Sequence, residues 1–206
     1  MHFESIHIIN RPTYMSKYPP AQSLVLALGQ IMTGYPIVGV WLSMGFMCAA
    51  IFWMLGRWVS PRWAAFGALL TIIHPELGIA GGWAQSYWGG AVAATGGALV
   101  LGGLRSLVQK RDAISAAILA IGIAVLANSR PYEGLVLVLP VAVASLFWLF
   151  SKTGPAIQLA IKNILLPLCI VLSLTAVAMG FYNFRITGSA FRMPYQVHEE
   201  TYGTVP

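Results

Sequence analysis

Two short segments join charged, hydroxyl-bearing and aromatic residues directly to apolar runs of membrane grade: Ser86-Tyr-Trp-Gly-Gly90 and Ala127-Asn-Ser-Arg-Pro-Tyr-Glu-Gly134. In the second, Arg130 offers a planar, permanently charged fork that matches two oxygens of a phosphate or pyrophosphate, the chemistry of a lipid-phosphate headgroup. Lys17 and Arg185 are further cations that can serve the same phosphate from neighbouring segments. Glu133, three residues after Arg130, is equally spaced to pair with it and merely hold a turn. Gln85, Tyr87 and Trp88, together with Tyr132 and Glu133, can line a sugar or its acceptor through stacking and hydrogen bonds; the aromatic members can equally be belt residues at a membrane interface.

The acids are few. Glu76 follows the apolar run 63–73, which at 1.5 Å per residue makes only about 16 Å of helix. Were that helix to continue through His74-Pro75-Glu76, a carboxylate would sit in the membrane zone at about 2.5–3.5 kcal/mol and would call for a cavity or a partner cation. If Pro75 stops the helix, Glu76 lies in a loop. Glu4 and His7 near the start and His198-Glu199-Glu200 near the end supply further acids and proton carriers, in tails where charges are commonly solvated. His74 alone makes no metal site, no cofactor is expected, and the sequence leaves a divalent metal open. Cys48 and Cys169 lie in apolar runs without a Cys or His partner, so neither a disulfide framework nor a zinc site follows.

These groups need a scaffold, and composition names its class. Hydrophobic residues are 58% and charged residues 9%, against about 25% charged in a soluble domain, so the chain reads as an integral membrane protein. The net charge of +6 comes from scattered basic residues that form no stripe along which a nucleic-acid backbone could run. Residues 36–55 make an uncharged run of spanning length. Further runs at 63–73, 89–104, 113–128, 135–150 and 164–181 bring the expected count to six crossings in an all-α, polytopic transmembrane bundle. Segment 24–33 is too short to cross and is expected as one short interfacial helix, capped by Ser23. Gly89, Ala93 and Gly97, with Gly90, Ala94, Ala98 and Gly102, repeat every four residues and are expected to form a close-packing helix face. The whole of 1–206 reads as one membrane domain: 1–35 the end of an outer loop, 36–181 the bundle, 182–206 an outer loop.

Lys and Arg set the orientation. Seven fall in three short alternate loops (Arg57 and Arg62; Arg105, Lys110 and Arg111; Lys152 and Lys162), which are expected to be cytoplasmic. The other five are spread over longer segments, so both ends of the chain are expected outside, with most of the candidate site residues.

The segments Lys17-Tyr-Pro-Pro-Ala-Gln22, Ser86-Tyr-Trp-Gly-Gly90, Ala127-Asn-Ser-Arg-Pro-Tyr-Glu-Gly134 and Tyr182-Asn-Phe-Arg-Ile-Thr-Gly188, followed by Pro194-Tyr-Gln, together resemble bacterial membrane glycosyltransferases of the C-type superfamily, which are similar to the protein mannosyltransferases. The likeness runs over nearly the whole chain. It implies an enzyme of the bacterial cytoplasmic (inner) membrane that moves a sugar from a polyprenyl-phosphate donor to an extracytoplasmic glycan, lipid or protein acceptor. It also implies a catalytic acid, usually Asp, in the first outer loop, for which this chain has no counterpart. The chain is therefore expected to be a C-terminal remainder lacking its first helix and inactive alone, with Glu4 and Glu76 as the acids left to consider. The absence of a Gly-rich phosphate loop agrees with a lipid-linked donor. The rival readings are a transporter or channel subunit, for which no paired half-repeats are found, and a noncatalytic assembly subunit.

Overall fold

Prolines and glycines set most of the helix ends. Pro61, Pro131 and Pro194 stand at the first helical positions, where a missing N–H goes unnoticed, and Gly34 and Gly188, both at φ 81°, close their helices in the left-handed conformation. The computed structural model describes residues 7–78 and 80–203. Its elements are β1 (Ile8–Ile9), β2 (Met15–Ser16), α1 (Ala21–Thr33), α2 (Ile37–Trp58), α3 (Pro61–Ile73), α4 (Gly82–Gln85), α5 (Gly90–Lys110), α6 (Ala113–Ala127), α7 (Pro131–Leu149), α8 (Ile157–Ala160), a π turn (Ile161–Leu165), α9 (Leu166–Thr187) and α10 (Pro194–Tyr202). The chain is nearly all-α. The exception is one antiparallel pair, β1 against β2, with Ile8 opposite Ser16 and Ile9 opposite Met15.

Four helical segments are long and apolar enough to cross a membrane: Ile37–Trp58, Gly90–Lys110, Pro131–Leu149 and Ile157–Thr187. Of the six runs expected to cross, four thus lie in helices of spanning length among the described residues. Helices α3 and α6 have 13 and 15 residues, about 20 and 22 Å, short of a hydrocarbon core of roughly 30 Å. The last rod runs through Pro167, which lacks an N–H and crowds the carbonyl four residues back. The chain absorbs this by widening just before it into the π turn, where the Leu166 amide reaches back five residues to Ile161. The helix then continues to Thr187, well past the expected end at 181.

Helix α5 is central, between α2 and α6, with α7 against α5 and α6, α9 against α6, and α1 and α3 against α2. Val100, Leu107, Leu119, Leu126, Val141 and Ile164 form the main buried cluster. The expected row Gly90, Ala94, Ala98 and Gly102 does pack closely, with Gly90 under Trp83, Ala94 against the cluster that holds Met44 and Met47 of α2, Ala98 buried and Gly102 at Trp53. A second set of glycines faces α6. A Cβ on Gly103 would come within 2.9 Å of the Leu119 backbone and one on Gly122 within 2.7 Å of the Val100 amide, so Gly96, Gly103 and Gly122 make the α5–α6 seam. Gly97 instead faces Leu137, because α5 is surrounded and spreads its glycines over three neighbours. Helix α1 begins at Ala21, with Pro20 as its cap residue; Ser23 falls inside the first turn and does not cap it. Gly29 and Gly39 bring α1 onto α2 backbone to backbone: a Cβ on either would overlap the other helix.

Candidate functional site

Three separate segments meet at one end of the bundle. The Ala21 amide, unsatisfied within its own helix, donates to the Asn128 carbonyl at 2.9 Å. The Gln22 side chain lies against Gly89, where a Cβ would sit 3.0 Å from the Gln22 Cβ and where φ is +75°, so glycine is needed twice over. Gly90 in turn lies under the Trp83 ring, and Trp41 Nε1 donates to the Ala84 carbonyl at 3.2 Å, which pins α4 to α2. The α6–α7 turn closes on itself: Asn128 Nδ2 donates to the Ala124 carbonyl, Ser129 Oγ to that of Val125, and the Arg130 amide to that of Leu126 at 2.8 Å. Pro131 then starts α7.

A fourth segment joins this end. Lys17 Nζ lies 5.8 Å from the Tyr18 ring centre and 6.0 Å from that of Tyr195, on the first turn of α10, and His7 Nδ1 is 2.8 Å from Tyr18 Oη. Glu199, one turn along α10, raises the Tyr195 phenol above its usual range, with some loss of hydration and a smaller contribution from Tyr132. Helix α10 is anchored by buried Pro194, Val197 and His198 against β1 and α9, by Asn10 Nδ2 donating to Tyr202 Oη at 3.3 Å, and by Arg192 paired with Glu200. Thr187 Oγ1 lies within 3.0 Å of the carbonyls of Asn183, Ser189 and Arg192 and gathers the α9–α10 turn.

Among the residues singled out in the sequence, Lys17, Arg130, Tyr132 and Glu133 come to this end of the bundle. Arg130 Nη1 donates to Glu133 Oε1 at 3.2 Å across the first turn of α7, and both side chains are substantially exposed, at 42% and 64%. Gln85 is the last residue of α4, and Tyr87 and Trp88 stand exposed just before Gly89. Arg185 lies over the Phe181 ring of its own helix, 5.9 Å from the ring centre. Glu76 belongs to a turn: α3 ends at Ile73, and the amides of Glu76 and Leu77 donate to His74 Nδ1 at 3.1 and 3.2 Å. A continuing helix with an intramembrane carboxylate is thereby replaced by a His-capped turn. Glu4 lies outside the described residues. His198, expected in a solvated tail, is instead buried, and Gln22, quoted only as the end of the Lys17–Gln22 segment, takes part in the packing. The spacing of Pro194, Val197 and His198 at i, i+3 and i+4 was a legible sign of an anchored helix face.

The arrangement suits an anionic, hydroxyl-rich ligand. It offers a cation over tyrosine rings, an arginine with donors beyond its Glu133 bond, exposed phenols, and a Gln22 Oε1 that is buried without a hydrogen-bond partner. Among the described residues no three His, Cys, Asp or Glu side chains gather as metal ligands. No protein-family model, curated protein or solved structure matches the chain.

Proposed function

We propose that the chain is part of a membrane glycosyltransferase that takes a sugar from a polyprenyl-phosphate donor and delivers it to an extracytoplasmic acceptor. One observation carries the reading: Lys17, Gln22, Gly89, Asn128 and Tyr195, drawn from four segments far apart in sequence, come together at a single end of an apolar helical bundle. Arg130 and Lys17 are the cations for the lipid phosphate, where a departing phosphate gathers negative charge and fixed cations stabilise it. Tyr132 and the aromatic Tyr87 and Trp88 are the groups for the sugar; Gln85, Glu133 and Arg185 stand at the margin. In this reading α3 and α6 complete their crossings with flanking residues, giving six. The Lys17–Tyr195 end faces outward from the bacterial inner membrane, with both chain ends on that side. The catalytic acid is supplied from outside the described residues.

The reading is tested with a photoreactive polyprenyl-phosphate hexose and the chain in native-lipid nanodiscs. Crosslinks to 17–22, 86–90 or 128–134 that an excess of unlabelled donor removes are the expected result. Absence of saturable labelling across a panel of sugars would move the weight to a transporter or a noncatalytic membrane subunit.

A further inference from the structure

At the opposite end of the bundle, α2 and α5 finish side by side in two interlocked arginine–tryptophan pairs. The Arg57 guanidinium lies 5.4 Å from the Trp53 ring centre, and the Arg105 guanidinium 5.4 Å from that of Trp58. The pairs are fixed by the helices themselves. Arg105 Nε donates to the Arg57 carbonyl at 3.4 Å, Trp58 Nε1 donates to the Leu101 carbonyl at 3.3 Å, and Gly102 leaves room for the Trp53 ring. An indole on the face of a guanidinium leaves the edge of the fork, with its Nη donors, open to oxygen atoms.

Those edges lack a protein acceptor. Among the described residues no ion pair involves Arg57, Arg105, Arg62 or Lys110, and Arg57 Nε is buried with no hydrogen-bond partner at all. Asp112, the acid closest in sequence to Arg105, is occupied by the Ser115 amide at 2.8 Å. Two forks held at the ends of apolar helices, beside a half-exposed Trp58, lie at the level of lipid headgroups, where the oxyanion at hand is a phosphodiester. Neighbouring Arg62 and Lys110 add positive potential, which repels the ammonium of a zwitterionic lipid and favours a headgroup of net negative charge.

We propose that Arg57 and Arg105, backed by Trp53 and Trp58, bind the phosphate of an anionic phospholipid. The site shares no residue with the proposed donor site and does not depend on the transferase reading.

The test uses the full chain in phosphatidylcholine nanodiscs doped with phosphatidylglycerol, following the rise in Tm with anionic lipid. Neutralising either Arg57 or Arg105 should weaken the apparent lipid affinity about five-fold, so Arg57→Gln with Arg105→Gln should lower it about twenty-five-fold, while Arg62→Gln has a much smaller effect. In the unsubstituted protein, brominated phosphatidylglycerol should quench tryptophan fluorescence more than brominated phosphatidylcholine, and Trp53→Phe with Trp58→Phe should abolish the difference; this arm stands even if the arginine variants fail to fold. Equal quenching by the two lipids, equal losses from Arg62→Gln, or an unchanged lipid response in the double arginine variant would each overturn the proposal. Competition by inorganic phosphate at matched concentration would also overturn it, because the site would then take free phosphate and not lipid.

Discussion

The amide of Ala21 donates to the carbonyl of Asn128 across 2.9 Å, so the first turn of α1 is completed by the C-cap of α6. Each partner is a helix-end group with no bond available inside its own helix. In an apolar bundle such groups cannot be left bare, which is why the Pro19–Gln22 entry and the Asn128–Arg130 turn form one unit. Gln22 extends that unit to Gly89.

Within the unit, Arg130 is bonded to Glu133 yet keeps donors for a phosphate, and the two roles separate by substitution. Arg130→Lys keeps the charge and loses the planar fork, so polyprenyl-phosphate binding should fall at least ten-fold, whereas Glu133→Gln should be mild because an exposed i,i+3 pair is worth at most ~0.5 kcal/mol. Photocrosslinking titrations read both. Equal loss of folded protein in the two variants, with unaltered binding by the remainder, would make the pair purely structural.

The α1–α2 contact makes a sharper stability prediction. Gly39→Val drives side-chain atoms into the Val25 carbonyl and should cost about 1–3 kcal/mol or abolish folding. Gly45→Ala, in the same helix with nothing within 4 Å of the new methyl, should be neutral or stabilising by up to about 1 kcal/mol. Thermal unfolding in detergent ranks them; a reversed order would show that the helices do not cross at Gly29 and Gly39.

Composition and run length alone were enough to read a bundle of apolar helices, four of them among the described residues long enough to cross a membrane, and helix positions came within a few residues for α2, α6 and α7. What escaped depended on packing. The sequence marks α5 as glycine-rich but does not assign each glycine to α2, α6 or α7; the four-residue repeat found the Gly90–Gly102 row that packs against α2 and α4 and missed Gly96 and Gly103, which meet α6. The rod Ile157–Thr187 outruns the expected run 164–181 at both ends because its ends carry polar residues, Lys162 and Asn163 before and Asn183 and Arg185 after, which stop an apolar run without stopping a helix. Of the site, the segments were legible because polar groups at the ends of apolar runs stand out. Their convergence was not, since it is set by one backbone hydrogen bond and one glycine contact.

Asp112 gives a pH-dependent test at the opposite end. Its carboxylate caps α6 through Ser115, whose hydrogen bonds hold the carboxyl below its ordinary value. A folded pKa below the unfolded one means the stabilisation is fully present above the unfolded value, near pH 4, and is lost as pH falls through the folded value. Asp112→Ala should therefore cost about 1 kcal/mol at neutral pH, and its deficit against the parent should shrink in acid. A deficit constant across that range would exclude the cap as its source.

His198 is 6% exposed with neither ring nitrogen hydrogen-bonded, and Glu199 Oε1 lies 3.8 Å from its Nδ1. An unsatisfied buried donor costs about 1–3 kcal/mol, so His198→Phe should leave the Tm unchanged or raise it while keeping the contact with Tyr202. A clear loss of stability, larger in acid than at neutral pH, would instead assign His198 an ion pair with Glu199.

The functional reading requires the Lys17–Tyr195 end to face outward, and this rests on charge distribution. Seven basic residues lie in the three short loops near Ser60, Lys110 and Lys152, against five over the longer segments opposite. In a background of Cys48→Ser and Cys169→Ser, single cysteines at the exposed positions Ser60, Lys110 and Lys152 should resist an impermeant thiol reagent in intact cells and react once the membrane is opened. Cysteines at Tyr87 and Phe191, 52% and 95% exposed at the other end, should react from outside. The opposite pattern would place the candidate donor site in the cytoplasm, where a polyprenyl-phosphate sugar facing the outer leaflet cannot reach it, and would remove the transferase reading whatever Arg130 binds. Reaction at both ends in intact cells would mean that the two ends of the bundle do not lie on opposite sides of a sealed membrane, and would overturn the assigned topology.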